Sequence, residues 1–319
     1  MREFDIISKY FALLTQGRSE ADGLKNDAAV LDIPSDKQLV VSSDTLVADV
    51  HFFADQQPEA IAKKALRSNL SDLNAMGAMP YCYQLCLSLP SLDGCWLEAF
   101  CHALAEDQEQ YNIFLSGGDT TSTSGPLSIS ITVMGLVEQG KAISRSGAKD
   151  GDLIVLSHSV GDAYCGLQSL RGELSDVPQS CIDLYYVPKP PMAMTSHLHE
   201  YASAALDISD GLLQDLGHIA KASNLTAEVD LNSIQFSKDV RSLIEHHKVT
   251  PQELLSGGDD YQLLMAVPPE KFGAFKAIAL SKGIDLQSIG VFKSGDADVV
   301  LRDAKGSEIS VEKLGWSHF

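Results

Sequence analysis

Apolar residues recur along this chain at two different periods, and the period separates helix from strand. Phe4, Ile7, Phe11 and Leu14 stand at helical spacing with charges between them. From Gln38, QLVVSSDTLV reads as a buried strand that ends in polar residues. Pro58 suits the first turn of a long helix, which Gly77 closes before Pro80. YCYQLCLSL from Tyr81 alternates, with Tyr83, Leu85, Leu87 and Leu89 on one strand face. A helix around Trp96 to Tyr111, a strand running into LSGGD and the period-two run LSISITVMGLV from Leu127 complete a first half of mixed character.

RSGAKDGD, from Arg145 to Asp152, breaks this periodicity with two glycines and alternating charge, which places a domain boundary there. The second half restarts with the strand DLIVLS, a helix from Gly161 to Leu170 and a VPKPP linker at Val187 to Pro191. A helix to about Ala204 follows, then LDISDGLLQDLGHIAKASN and the strands TAEVDL, QLLMAVP, LQSIGVF and ADVVL. Strands interleaved with helices in both halves predict an α/β (α+β) fold in two domains, residues 1–145 and 146–319, each with a mixed sheet. The pentapeptide LSGGD occurs twice, from Leu115 and from Leu255, with flanks that do not align, so duplication is a poor explanation.

Composition narrows the chemistry. The 24 Lys and Arg against 43 Asp and Glu leave a net charge of −19, which argues against an electrostatic grip on nucleic acid or an anionic membrane. Anionic substrates would need metal cations as mediators. The N-terminus has no apolar block long enough for a signal peptide or a span, so a cytoplasmic protein is expected. None of the six cysteines forms a Cys-x-x-Cys pair, and Cys95 and Cys101 fall in an apolar stretch, as buried thiols would.

Aspartates gather where elements should begin or end: Asp27, Asp44, Asp119, Asp207, Asp210, Asp259 and Asp260. Any one of them is also an ordinary turn former or cap, Asp210 of the helix after Gly211 included. Asp72 is different. On the helix from Pro58 it sits at the edge of the apolar arc of Ile61, Ala62, Ala65, Leu66, Leu70, Leu73 and Met76, with Asn69 inside that arc. A carboxylate there needs a hydrogen-bond network or a metal ion. Oxygen donors alone, with Ser42 and Ser43 beside Asp44, suit Mg²⁺ rather than zinc.

No P-loop, no dinucleotide fingerprint and no protein-kinase motif set is present. The remaining phosphate-binding device is Gly-Gly followed by Asp, at Gly117-Gly118 and Gly257-Gly258, where backbone N–H groups can approach phosphate oxygens. NDAAV, SSDTLVADVHF, NLSDLNAMGA, GGDTT, RSGAKDGD, DISDGL and SGGDDYQL, in this order and with a closing GWSHF, resemble the thiamine-monophosphate kinases of the aminoimidazole-ribonucleotide-synthetase-like superfamily.

The resemblance implies ATP-dependent phosphorylation of thiamine monophosphate to thiamine diphosphate, with several Mg²⁺ ions. It also implies a homodimer paired through N-terminal domains that bind ATP and Mg²⁺, with C-terminal domains completing the metal and substrate site. By motif position, Asp27, Ser42, Ser43, Asp44, Asp72, Asp119, Asp207 and Asp210 would hold Mg²⁺. Gly118, Asp119, Arg145 and Ser209 would meet ATP, and His51, Asp259 and Trp316 thiamine monophosphate. No general base is implied, because the acceptor phosphate is already an anion. Two departures stand out: the family usually writes Gly-Asp-Asp-Ala-Ala where this chain has Lys25-Asn26-Asp27-Ala28-Ala29, and more often has Glu at Asp259. Without the resemblance, Trp316 reads as a C-terminal aromatic tucked on the core and His51 as a half-buried histidine.

Other ATP-using members of the superfamily and Mg²⁺-dependent phosphomonoesterases with an Asp-x-x-Asp-Gly motif are the alternatives. The lithium-sensitive phosphatases, however, place Thr after that glycine, where Leu212 stands here. A plain divalent-cation binding protein is a further reading, but the chain has no EF-hand loop.

Overall fold

The computed structural model describes residues 3–311 and 314–317; the side chain of Phe4 and the last two residues of GWSHF lie outside the described residues. The chain forms two compact units, Met1–Leu73 with Ala78–Ala142, and Asn74–Gly77 with Ile143–Phe319.

In the first unit, a helix α1 (Glu3–Ile6) passes into a π-helical turn over Ile7–Phe11 and a 3₁₀ turn over Ala12–Thr15. Four strands follow: β1 (Lys37–Val47), β2 (Met79–Leu89), β3 (Phe114–Ser122) and β4 (Ser128–Glu138). They are ordered β1-β4-β2-β3, with β2 and β3 parallel and the other neighbours antiparallel. Their alternation makes one face apolar, with Leu46, Ile129, Ile131, Val133, Tyr83, Leu85 and Leu87 all buried. Two long helices, α2 (Pro58–Ala75) and α3 (Gly94–Tyr111), are tied to that face and to each other. Ser42 on β1 donates to Asp72 on α2, Gln108 on α3 donates to the Tyr83 hydroxyl, and Arg67 makes a bidentate ion pair with Asp107 at 2.7–2.8 Å.

β1 is not the buried strand its sequence suggests. It is an edge strand with one uncovered face, and Leu39 and Val41 are exposed on it. α2 departs in the other direction: Lys64, Arg67, Ser68, Asn69 and Ser71 are as buried as its apolar arc. Cys86 and Cys95 are exposed, while Cys82, Cys101, Cys165 and Cys181 are buried as expected.

The second unit is built on a six-stranded mixed sheet: β5 (Leu153–Leu156), β6 (Ala204–Asp207), β7 (Thr226–Asp230), β8 (Leu263–Val267), β9 (Gln287–Lys293) and β10 (Val299–Arg302), ordered β10-β7-β9-β5-β8-β6. Strand pleat divides its apolar residues between two cores. Leu264 and Ala266 point to the side of Leu212, Leu213, Leu216 and Ile219, whereas Leu263, Met265 and Val267 meet Phe275, Ala279, Met194 and Leu198. That is why LLMAV is buried at every position: a sheet covered on both faces needs no polar alternation. The helices are α4 (Asp162–Leu170), α5 (Gln179–Tyr186), α6 (Leu198–Tyr201), α7 (Leu212–Ser223), α8 (Lys238–Glu245), α9 (Pro251–Leu255) and α10 (Pro269–Ser281). The helix expected to reach Ala204 stops at Tyr201, because Ala204 already pairs in β6 against β8.

Candidate functional site

In the first unit, Ser42, Asp44 and Asp72 come together. Ser42 and Asp44 share a face of β1, and the Ser42 hydroxyl donates to Asp72 Oδ2 at 2.6 Å. Asn69, one turn before Asp72, accepts the backbone N–H of Asp44 at 3.0 Å through Oδ1, while its own amide N–H donates to the Ala65 carbonyl. The buried Asn69 therefore fixes where Asp44 sits. Burial, and then the charge of Asp72, push the Asp44 carboxyl up to about 6.

Ser43 and Asp119 do not join them on that face. Ser43 Oγ turns the other way, to Thr132 Oγ1 at 2.9 Å. Asp119 lies in one row across the sheet with Cys86, Ser130 and Thr45, whereas Asp44 shares the neighbouring row with Ile131, Leu85 and Gly118. Adjacent rows point to opposite faces.

The two LSGGD segments take different structures. Leu115–Asp119 is the interior of β3, not a turn, with a register shift opposite Tyr83 and Gln84 that leaves Ser116 Oγ donating to the Tyr83 carbonyl. A Cβ on Gly118 (φ +153°) would lie 1.8 Å from the Leu85 carbonyl oxygen, so strand approach alone demands this glycine. In the second copy, Leu255 ends α9 and 256–259 form a loop laid along the DISDG turn. A Cβ on Gly258 would lie 2.2 Å from the Ser209 carbonyl oxygen, which accepts the Asp259 N–H at 2.9 Å.

Asp27 is exposed in its loop, and Asn26 Nδ2 donates to Asp22 Oδ2 at 2.9 Å, a bond that an ionised aspartate at 26 could not make. His51 Nδ1 accepts the Val47 N–H at 3.0 Å, which leaves Nε2 as the protonated nitrogen of the neutral ring.

In the second unit, Asp207 is buried at the end of β6, Ser209 is exposed and Asp210 is half-buried. Trp316 is held to this turn through its backbone N–H on the Asp210 carbonyl at 3.0 Å. Asp259 (φ +68°) accepts the Tyr261 hydroxyl at 3.2 Å, and Arg145 is exposed. Asp260, its neighbour, is a buried acceptor for the Gly161 N–H that precedes α4. Burial holds its carboxyl well above the usual range.

Residues 25–137 match the AIR synthase related protein N-terminal domain, and residues 149–302 match the C-terminal domain of the same description. A thiamine-monophosphate kinase of Caulobacter vibrioides is 39% identical over 99% of this chain and 90% of its own length. The chain belongs to the thiamine-monophosphate kinase family. The structure of a thiamine-monophosphate kinase from Stenotrophomonas maltophilia K279a superimposes with a TM-score of 0.85 at 37% identity, over 94% of this chain and 98% of that one. AaThiL complexed with AMPPCP and TMP matches with a TM-score of 0.79 at 29% identity, covering 100% of this chain and 99% of that chain.

In this member of the thiamine-monophosphate kinase family, one site residue escapes the motif reading. Asp215 Oδ2 accepts the N–H groups of Ser209, Asp210 and Gly211, each at 3.1 Å. Burial and the nearby Asp210 push its carboxyl up to about 7, while those hydrogen bonds pull it down. The signal was present: Asp215 lies three residues after Leu212 and four before Ile219, inside the buried stripe of α7.

Among the described residues, no three His, Cys, Asp or Glu side chains form a group ready to hold a metal ion. The residues nevertheless suit a hard cation. Asp44 and Asp72 are two carboxylates brought close enough for burial and the charge of Asp72 to raise the Asp44 carboxyl, with the Ser42 hydroxyl oxygen beside them. No helix among the described residues is long and apolar enough to cross a membrane.

Proposed function

We propose that this protein transfers the terminal phosphoryl group of ATP to the phosphate of thiamine monophosphate, giving thiamine diphosphate and ADP. The carrying observation is likeness to thiamine-monophosphate kinases over 99% of the chain, at up to 39% identity among those compared. The relative complexed with AMPPCP and TMP supports the same pair of substrates.

The acceptor phosphate is an anion at neutral pH, so the chain needs no general base; it must align two polyanions and offset their repulsion. Asp44, Asp72 and Ser42 are proposed to hold Mg²⁺ in the first unit, with Asp27, Asp119 and Ser43 as further candidates, and Asp207 and Asp210 in the second. Bound there, Mg²⁺ would neutralise phosphate charge and orient the transferring group. Gly118, Asp119, Arg145 and Ser209 are proposed for ATP: Arg145 is an exposed guanidinium, suited to bidentate contact with phosphate oxygens. His51, Asp259 and Trp316 are proposed for thiamine monophosphate. The indole of Trp316, 37% exposed, suits stacking on a cationic thiazolium ring, and Asp259 offers it a countercharge.

A homodimer paired through the N-terminal domain is part of the reading, supported by the exposed Leu39 and Val41 on edge strand β1. So are a boundary near residue 145 and a cytoplasmic setting. The net charge of −19 speaks against nucleic acid as a partner. Purified protein given thiamine monophosphate and ATP should form thiamine diphosphate, and chelation of Mg²⁺ should stop it. Release of inorganic phosphate from thiamine monophosphate without ATP would instead mark a phosphomonoesterase.

A further inference from the structure

Gln214, on the first turn of α7, lies between Asp210, which the proposed function gives to Mg²⁺, and Trp316, which it gives to thiamine monophosphate. Its Nε2 donates to Asp210 Oδ2 at 3.1 Å and to the Trp316 carbonyl at 2.8 Å, so both of its amide hydrogens are used, one on each side. The backbone repeats the connection: Gln214 N–H donates to the Leu314 carbonyl at 3.1 Å and Trp316 N–H to the Asp210 carbonyl at 3.0 Å. Gly315 lets the strap lie flat on this clip. A Cβ there would meet Gln214 Cβ at 2.5 Å, Gln214 Oε1 at 2.7 Å and the Asp210 carbonyl oxygen at 2.9 Å. From below, Asp215 pins the Ser209–Gly211 backbone, so the Asp210 carboxylate and the strap meet above a fixed turn.

We propose that Gln214 is a positioning residue that couples the two substrates, passing the state of the Asp210 carboxylate to Trp316 so that Mg²⁺-nucleotide binding orders the contact for the acceptor ring. The proposal rests on the functional reading above. A planar amide that shares one NH₂ group between two acceptors cannot follow a displacement of one without turning toward or away from the other. Were Asp210 to hold a cation, its carboxylate would be fixed, and through the Gln214 amide so would the carbonyl of Trp316. Ordering Trp316 beforehand removes part of the entropic cost of acceptor binding, so the sign of the coupling is favourable.

The test uses the full chain with Trp96→Phe, which leaves Trp316 as the only one of the two tryptophans; Phe keeps an aromatic ring against Phe100. Indole fluorescence is titrated with thiamine monophosphate, with and without Mg²⁺ and AMPPCP. The parent should bind the acceptor about tenfold more tightly when Mg²⁺-AMPPCP is present, within the usual range of coupling. Gln214→Leu, which removes both donors, and the near-isosteric Gln214→Glu should each bring that ratio below about twofold. A merely structural role would weaken acceptor binding equally in both conditions and leave the ratio intact. An unchanged ratio in the folded variants, or no coupling in the parent, overturns the proposal. If the Leu variant fails to fold, the Glu variant decides. No fluorescence response of the parent to thiamine monophosphate in either condition, with no product formed, would sink the functional reading itself.

Discussion

The carboxylate of Asp215 accepts the backbone N–H of Asp210 at 3.1 Å and, with the same oxygen, the N–H groups on either side. A buried side chain thus sets the shape of the turn that carries Ser209 and Asp210. Asp215→Ala leaves those donors without their acceptor and should lower stability by about 2–4 kcal/mol. Asp215→Asn keeps an acceptor oxygen and should lose less than half as much. Urea unfolding measures both; equal stability of the Ala variant and the parent would contradict this role.

Gly118→Ala separates strand packing from nucleotide contact. The added Cβ would sit 1.8 Å from the Leu85 carbonyl oxygen, so β2 and β3 must part. We expect a loss of several kcal/mol or insoluble protein. A variant of normal thermal stability that shows only a raised KM for ATP would reverse the assignment.

Such a distinction was not legible in the spelling LSGGD. Period-two and period-3.6 patterns placed nine of the ten strands among the described residues and the two longest helices, because burial on a sheet face or helix stripe is local in sequence; β6 reads as the end of a helix. What pairs across a sheet is not. The row that joins Asp119 to Cys86, Ser130 and Thr45 depends on strand order and on the shift at Ser116, so nothing in the spacing of Asp44 and Asp119 showed that they face opposite ways. Likewise β1 reads as buried until its edge position is known. Asn69 and Asp72 were legible, since a polar residue within an apolar arc stands out; Asp215 carried the same signal beside a more conspicuous motif.

Asp44→Asn and Asp72→Asn should each reduce turnover by about 100-fold while leaving the Mg²⁺-free protein as stable as the parent or more so, because either change removes one of two opposed, half-buried charges. Thermal melts with and without Mg²⁺, beside turnover assays, check the pair. Near-normal turnover in both variants would return these residues to a structural role. Asp210→Asn should abolish transfer with the fold intact.

His158, half-buried after β5, has its imidazole pulled below the usual histidine range, chiefly by burial, with Asp285 opposing. The folded state therefore disfavours the charged ring. Its contribution to stability is fully present above the unfolded value of about 6.5 and is lost as pH falls through the folded value. His158→Gln should flatten the stability profile on the acid side of pH 6.5, measured by urea midpoints between pH 5 and 8. Parallel profiles for parent and variant would contradict this.

The central claim is a phosphoryl transfer from ATP to thiamine monophosphate. Its most direct test is to incubate the purified protein with Mg²⁺, thiamine monophosphate and ATP labelled at the γ-phosphate, and to locate the label. The account predicts labelled thiamine diphosphate, with the label in its terminal phosphate and one ADP formed per product. Label found only in inorganic phosphate, with thiamine monophosphate recovered unchanged, would contradict it.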